Sequence, residues 1–345
     1  MYEVDFLPVE SESGPGSKSG DAIALRFTVE AEQRNAVVVI DGGFSYIGEN
    51  LADHIAEYYE TDVVDLIVST HPDADHLNGI STLIEKVQAK ELLIHQPRLH
   101  TYDVSDFSNL EALDSLISLA KSRSIPITEP FTGLSRFGGQ FSVLGPTRSY
   151  YEKLLEQHLT EARSGLSHAS KATFSSAVRG LLSKTLSYLP IETLSDDVET
   201  SPRNNTSVIS LLRVGTSRLM FTGDAGIPAL DAACDEYERT IGNFSSAPLD
   251  FFQAPHHGSR RNLGPTVLDR ILGERGAPYS DVASFISSAK ISEKHPSPKV
   301  VNALTRRGCQ VFATEGRTIT HSHAAPTRHN WTTLTPFGPL SEDDD

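Results

Sequence analysis

The stretch Leu66-Ile67-Val68-Ser69-Thr70-His71-Pro72-Asp73-Ala74-Asp75-His76 decides how this chain is read. An apolar run breaks off into two imidazoles and two carboxylates within six residues. A turn after a buried strand collects Asp and Pro routinely. Two histidines alternating with the acids are different, because they aim several donors at one spot. Such a mixed nitrogen and oxygen set suits a pair of divalent cations better than one closed structural zinc.

Other strand ends carry related residues. Asp41 closes Val37-Val38-Val39-Ile40, and the glycines after it allow close backbone approach. It is expected to orient a ligating histidine. Asp224 ends Phe221-Thr222-Gly223-Asp224 and is the expected carboxylate bridge between two cations. Phe251-Phe252-Gln253-Ala254-Pro255-His256-His257-Gly258-Ser259 repeats the pattern of strand, turn and imidazole. Adjacent imidazoles ordinarily diverge, so His256 is expected to ligate and His257 to face substrate or support the ligands. In Arg203-Asn204-Asn205-Thr206-Ser207, the Asn205 amide is expected to hold a water or a substrate oxygen. His295 sits in a polar loop and is expected to protonate a leaving group or bind an oxyanion. His321, His323 and His329 read as incidental.

The chain has 345 residues, 38% apolar and 22% charged, within the ordinary range of a soluble protein. No run of 18 apolar residues and no basic-then-apolar leader is present, so the expected location is cytoplasmic, without a membrane. Cys234 and Cys309 lie far from the ligand cluster and read as reduced thiols. The formal net charge of -15 argues against a broad phosphate-tracking surface. It leaves room for a short or single-stranded nucleic acid, because cations in the site would invert the local field. The chain holds no phosphate-binding Gly-rich loop, nucleophile elbow, Cys-x-x-Cys pair or His-Glu-x-x-His helix.

Patterning predicts strands over 2–9, 22–29, 36–40, 65–69, 91–95, 141–144, 207–214, 218–222, 251–254, 282–286, 311–313 and 317–320. Helices are predicted over 47–59, 77–87 and 110–121. Residues 147–200 are rich in Ser, Leu and Lys, with helical periodicity over 150–159 and 177–189. They are expected to form a helical insertion in one domain spanning 1–345, offering a lid or a protein-partner surface. Residues 330–345 are expected to form a flexible acidic tail. Strand-rich halves around a helical middle fit two packed sheets with helices outside.

These strand-end ligands, in this order, resemble the metallo-β-lactamase fold superfamily. The match extends to its ComEC/Rec2-like branch through Ser19-Gly20-Asp21-Ala22-Ile23, Asp41-Gly42-Gly43, the His71 to His76 motif, Asn204-Asn205-Thr206-Ser207, Gly223-Asp224, His256-His257-Gly258-Ser259 and His295-Pro296-Ser297. It spans about residues 2–321 apart from the middle insertion. The resemblance implies an α/β fold, an αββα four-layer sandwich of two mixed β-sheets flanked by helices. It also implies one metal on His71 and Asp73, another on Asp75, His76 and His256, and Asp224 between them. Asp73 stands where the family pattern has a second histidine, and a downstream ligand histidine is replaced near Asn205. That oxygen-rich set tilts metal choice toward Mn²⁺ or Mg²⁺ beside Zn²⁺. The chain lacks the membrane channel region of DNA-uptake proteins and so resembles the freestanding hydrolase.

The expected activity is phosphoester hydrolysis, favouring a phosphodiesterase or nuclease acting on nucleic acid or nucleotides. Asp75 would orient the attacking hydroxide, with His257 or His295 touching the phosphate or leaving oxygen. The alternatives are a hydrolase of carboxylic esters, lactones or amides, and a partner-gated effector module of a bacterial defence or toxin system.

Overall fold

The computed structural model describes residues 1–11, 18–101, 109–164, 192–276, 282–292 and 294–342. The predicted helix over 177–189 lies outside them. Sixteen strands appear in chain order among the described residues: β1 Tyr2–Phe6, β2 Ala22–Val29, β3 Arg34–Gly42, β4 Val63–Val64, β5 Leu66–Val68, β6 Gln88–Ala89, β7 Leu92–Leu93 and β8 Ile127–Thr128. They continue as β9 Ser135–Arg136, β10 Phe141–Gly145, β11 Ile209–Val214, β12 Ser217–Phe221, β13 Phe251–Gln253, β14 Ala283–Ile286, β15 Gln310–Ala313 and β16 Ile319–His323. One sheet runs β16-β1-β2-β3-β5-β7-β8 and the other β15-β14-β13-β12-β11-β10-β9, with β4 and β6 as a separate pair. Both are mixed. β1, β2 and β3 pair antiparallel while β3, β5, β7 and β8 pair parallel. In the second sheet β10, β11 and β12 pair antiparallel, and β12 to β15 are parallel.

Alternation along the strands builds the layers. Tyr2, Val4 and Phe6 of β1 point between the sheets with Phe27, Phe221, Phe251 and Phe285. The Phe6 and Phe285 rings meet edge to face at 5.4 Å, a favoured aromatic geometry. On the outer face of the first sheet, helices Ile47–Tyr59, Ala74–Lys86 and Leu110–Ser122 bury Leu51, Ile55, Ile80, Leu83 and Leu116. On the outer face of the second, helices Ile227–Thr240, Pro265–Leu272 and Pro298–Arg306 bury Leu230, Leu268, Val301 and Leu304. The architecture is therefore two mixed sheets flanked by helices. The last three helices were not predicted from sequence; each opens with Pro in its first turn, a start signal the strand-centred reading passed over.

Helix Arg148–Ser164 occupies the start of the expected insertion, and 192–200 are irregular. Residues 330–342, expected to be flexible, are instead docked. Trp331 packs on Tyr58 at 5.4 Å, the Phe337 N–H donates to the Val311 carbonyl, and buried Glu342 accepts from Asn302 and Arg306. The apolar anchors and the paired acid outweigh the net negative charge that suggested fraying. No helix of the described residues is long and apolar enough to cross a membrane.

The helix that follows the His71 turn is seated by glycines. A Cβ at Gly79 would lie 1.9 Å from the Gly42 carbonyl oxygen, and one at Gly48 would lie 2.1 Å from the Gly79 oxygen. Backbone thus meets backbone where helix Ala74–Lys86 crosses the end of β3. Gly79→Ala is expected to cost about 2–3 kcal/mol by overpacking, read as a lower denaturation midpoint at unchanged m-value.

Candidate metal centre

The predicted residues converge at one edge of the sandwich. His71, Asp224 and His256 each lie three residues beyond the last residue of β5, β12 and β13, and Asp41 lies inside the end of β3. Parallel strands place their carboxyl ends together, which is where α/β sheets gather sites. Asp224 stands at the centre. Its Oδ1 lies 3.4 Å from His76 Nε2, and its Oδ2 lies 3.6 Å from both His71 Nε2 and His256 Nε2. Asp73 Oδ2 is 3.8 Å from His71 Nε2, and Asp75 Oδ2 is 3.7 Å from His257 Nε2.

These spacings are too long for hydrogen bonds. Two donors each about 2.1 Å from a shared tetrahedral ion lie about 3.4 Å apart, close to what is found. His71 Nε2, His76 Nε2, Asp224 Oδ1 and both His257 nitrogens are buried with no hydrogen-bond partner. Buried polar atoms are normally satisfied, so an orphaned set facing one point fits divalent metal. Asp75, His76 and His257 form one such group, and Asp21, Asp224 and His257 another.

The surrounding hydrogen bonds fix which imidazole nitrogens are free. Asp41 Oδ2 lies 2.8 Å from His76 Nδ1 and accepts its N–H, which leaves Nε2 to face the cluster. The Thr70 hydroxyl donates to the same Asp41 oxygen at 2.6 Å, so its oxygen accepts from His71 Nδ1 at 3.0 Å. Asp41 therefore orients two histidines, one directly and one through Thr70. Asn262 Nδ2 donates to the Asp224 carbonyl, which turns its Oδ1 toward His256 Nδ1 at 2.9 Å. The Nε2 atoms of His71, His76 and His256 all face Asp224.

Two sequence expectations change. His257, not His256, sits with Asp75 and His76, while His256 shares the Asp224 Oδ2 side with His71. The reason is backbone: His256, His257 and Gly258 are consecutively left-handed, at φ 49°, 56° and 75°. That rare conformation swings adjacent imidazoles toward one centre instead of apart. Asn205 does not face the cluster with its amide oxygen, which accepts the Gly226 N–H at 3.1 Å and braces the turn carrying Asp224. Its neighbour Asn204 is the residue beside His256, at 3.0 Å from Nδ1. His295 lies at the rim, its ring 6.0 Å from His256 and 6.2 Å from His257.

Asp21 is a residue to which sequence reasoning gave no role. It is buried, receives Gln253 Nε2 at 2.8 Å, and stands 3.8 Å from His76 Nδ1 and 3.9 Å from His257 Nδ1. The signal was the Ser19-Gly20-Asp21 step before β2. A Cβ at Gly20 would lie 2.2 Å from the Asp75 carbonyl oxygen, so only glycine lets this loop press on the ligand turn.

Charge is unevenly shared. Burial and the neighbouring His76 push the His71 imidazole down to about 3. Burial would also lower His76, but Asp224 and Asp41 outweigh it and drive it well above its ordinary value. Burial would raise Asp224, yet the facing His256 and His76 hold it far below the carboxylate range. Burial pushes Asp73 up to about 6 even with Arg203 beside it. Burial, then His257 and His256, bring His295 down to about 3.

No family model matches the chain, and no curated protein matches it in sequence. Solved structures do resemble it. They include the metallo-β-lactamase fold protein YhfI from Bacillus subtilis, at 12% identity and TM-score 0.42 over 93% of this chain and 99% of that one. A diphosphatase of the PhnP family matches at 10% identity and TM-score 0.42, covering 94% and 99%. A mutant CmlA β-hydroxylase matches at 13% identity and TM-score 0.45, covering 92% of this chain and 53% of its own. At such identities the likeness concerns the arrangement of the fold alone.

Proposed function

We propose that this chain is a dinuclear-metal hydrolase of phosphoesters, acting on phosphodiesters of nucleic acid or nucleotides. The observation that carries the reading is the orphaned, buried donor set around Asp224, whose two carboxylate oxygens face different imidazoles. His71, Asp73 and His256 would hold one cation and Asp75, His76 and His257 the other, with Asp224 shared. Such a pair supplies an acidified water as nucleophile and positive charge for the oxygens of an in-line displacement. The carboxylate-rich set supports Mn²⁺ or Zn²⁺, with Mg²⁺ as a third choice.

The chain's own residues do the positioning. Asp41, Thr70 and Asn262 set the imidazole tautomers, and the left-handed His256-His257 turn presents both rings. His295, at the rim, donates a hydrogen bond to a phosphoryl or leaving oxygen. The sequence resemblance to the ComEC/Rec2-like branch supports nucleic acid as the substrate class, and the net charge of -15 supports a short or single-stranded one. The reading extends to the cytoplasm, where the buried free thiols of Cys234 and Cys309 stay reduced.

The test is reconstitution with Mn²⁺, Zn²⁺ or Mg²⁺ and assay of bis(p-nitrophenyl) phosphate, single- and double-stranded DNA, RNA and a lactone panel. Metal-dependent phosphodiester turnover that His257→Ala abolishes is expected. Lactone turnover alone would replace the phosphoester reading with the ester and lactone one.

A further inference from the structure

We propose that Arg203 binds the anionic oxygens of the substrate and so selects charged phosphoesters over neutral esters at the same centre; this rests on the phosphoester reading above. Arg203 Nε lies 2.7 Å from Asp73 Oδ1 in an ion pair, and the other oxygen of that carboxylate faces His71 Nε2 at 3.8 Å. The guanidinium is thus one carboxylate removed from the donor cluster. Its side chain is 26% exposed, and its terminal nitrogens make no hydrogen bond to any other described residue. The ion pair runs through Nε, so the edge formed by the two terminal nitrogens is not used by it. That edge matches two non-bridging phosphoryl oxygens in a bidentate pair, whereas a carboxylic ester offers one neutral carbonyl.

The position is preset by the turn that builds the site. The Arg203 carbonyl accepts both the N–H and the hydroxyl of Thr206, at 3.0 and 2.6 Å. Asn204 of the same turn stands at His256, and the Ser207 hydroxyl accepts the Asp224 N–H and approaches His71 Nδ1 at 3.3 Å. The backbone that carries Arg203 is thus tied to the turn that meets His256, Asp224 and His71.

Charge balance gives Arg203 a purpose beyond bracing. Asp21, Asp41, Asp73, Asp75 and Asp224 are five carboxylates around the cluster. Two divalent cations would leave an excess of negative charge from these carboxylates, and the Arg203 guanidinium offsets part of it. Without that guanidinium, an anionic ester would enter a site of its own sign.

The experiment compares metal-loaded wild type with Arg203→Met and Arg203→Lys. Metal content is measured on each protein, inorganic phosphate and vanadate binding by calorimetry, and kcat/KM on bis(p-nitrophenyl) phosphate and on the neutral triester diethyl p-nitrophenyl phosphate. Arg203→Met is expected to keep its metals, to weaken phosphate and vanadate binding about 10- to 100-fold, and to lower the diester-to-triester ratio by a similar factor. Arg203→Lys recovers only part, since an ammonium lacks the fork. Phosphate binding by Arg203→Met within about threefold of wild type would overturn the proposal. So would loss of metal with both substrates falling together in both variants, which would mark Arg203 as a brace for Asp73. If wild type turns over neither ester, the phosphoester reading fails, and calorimetry still decides: phosphate binding lost in Arg203→Met upholds an anion site, and no binding by wild type removes it.

Discussion

Asp224→Ala is expected to lose both cations and to lower phosphodiester turnover at least about 10³-fold. Asp224 faces both halves of the cluster, since its two oxygens lie 3.4 to 3.6 Å from three separate imidazoles. Removing it also takes away the largest opposing charge on His76, whose raised basicity depends first on Asp224 among its neighbours. Metal content by elemental analysis and turnover on bis(p-nitrophenyl) phosphate check this, with the melting temperature measured with and without added metal. Wild type should melt higher with metal, because a ligand held only by the folded state stabilises it; the variant should not respond. A variant that retains both cations at wild-type stoichiometry would show that the histidines suffice without the central carboxylate.

The second large effect lies on β1, at Asp5. Arg328→Ala is expected to destabilise the fold by about 3–5 kcal/mol, roughly a 10 °C loss in melting temperature. Arg328 reaches both Asp5 oxygens, at 3.0 and 2.7 Å, touches Glu3 at 3.0 Å, and lies over the rings of Tyr58 and Trp331 at 4.8 and 4.7 Å. Removing it leaves a fully buried Asp5 with hydrogen bonds to His54 and Tyr59 alone among the described residues. Burial alone would raise the Asp5 carboxyl, but hydrogen bonds from His54 and Arg328 outweigh it and hold it at about 2, against an ordinary 3.8. A depressed carboxylate stabilises the fold above its unfolded value and loses that contribution as pH falls. About 2 kcal/mol should therefore drain away between roughly pH 4 and pH 2 in wild type, and the Arg328→Ala variant should lose part of that dependence, the share not held by His54. Denaturant titrations at stepped pH measure both. A destabilisation below about 1 kcal/mol would show that His54 and Tyr59 carry the charge unaided.

Much of the frame was legible because its signals are local. The strand over Ala22–Val29 and the helix over Ile47–Tyr59 fall where alternation and the apolar stripe predict them, and the His71 turn follows a plain apolar run. What escaped reading depends on contacts distant in sequence. The convergence of His256 and His257 requires left-handed backbone that adjacent residue types do not announce. Asp21 joins the centre only because β2 lies beside β3, bringing residue 21 to residues 75 and 257. Arg203 gains meaning only once Asp73 is found opposite it. The docked segment through Glu342 was hidden by composition, since a charge run says nothing about a cationic partner at Arg306.

The pairing of β16 with β1 carries a consequence for biosynthesis. Asp21, Asp41 and the His71 to His76 turn leave the ribosome before Asp224 and the His256-His257 turn, which follow some 150 residues or more later, and the strand that edges β1 comes later still. A half-made chain holds an acidic, histidine-bearing fragment with no central carboxylate, unable to grip a cation pair. Competence for metal therefore waits on the second half of the site and on long-range strand pairing, a slow kind of closure. Ion capture would then act as a final check that both halves have met correctly.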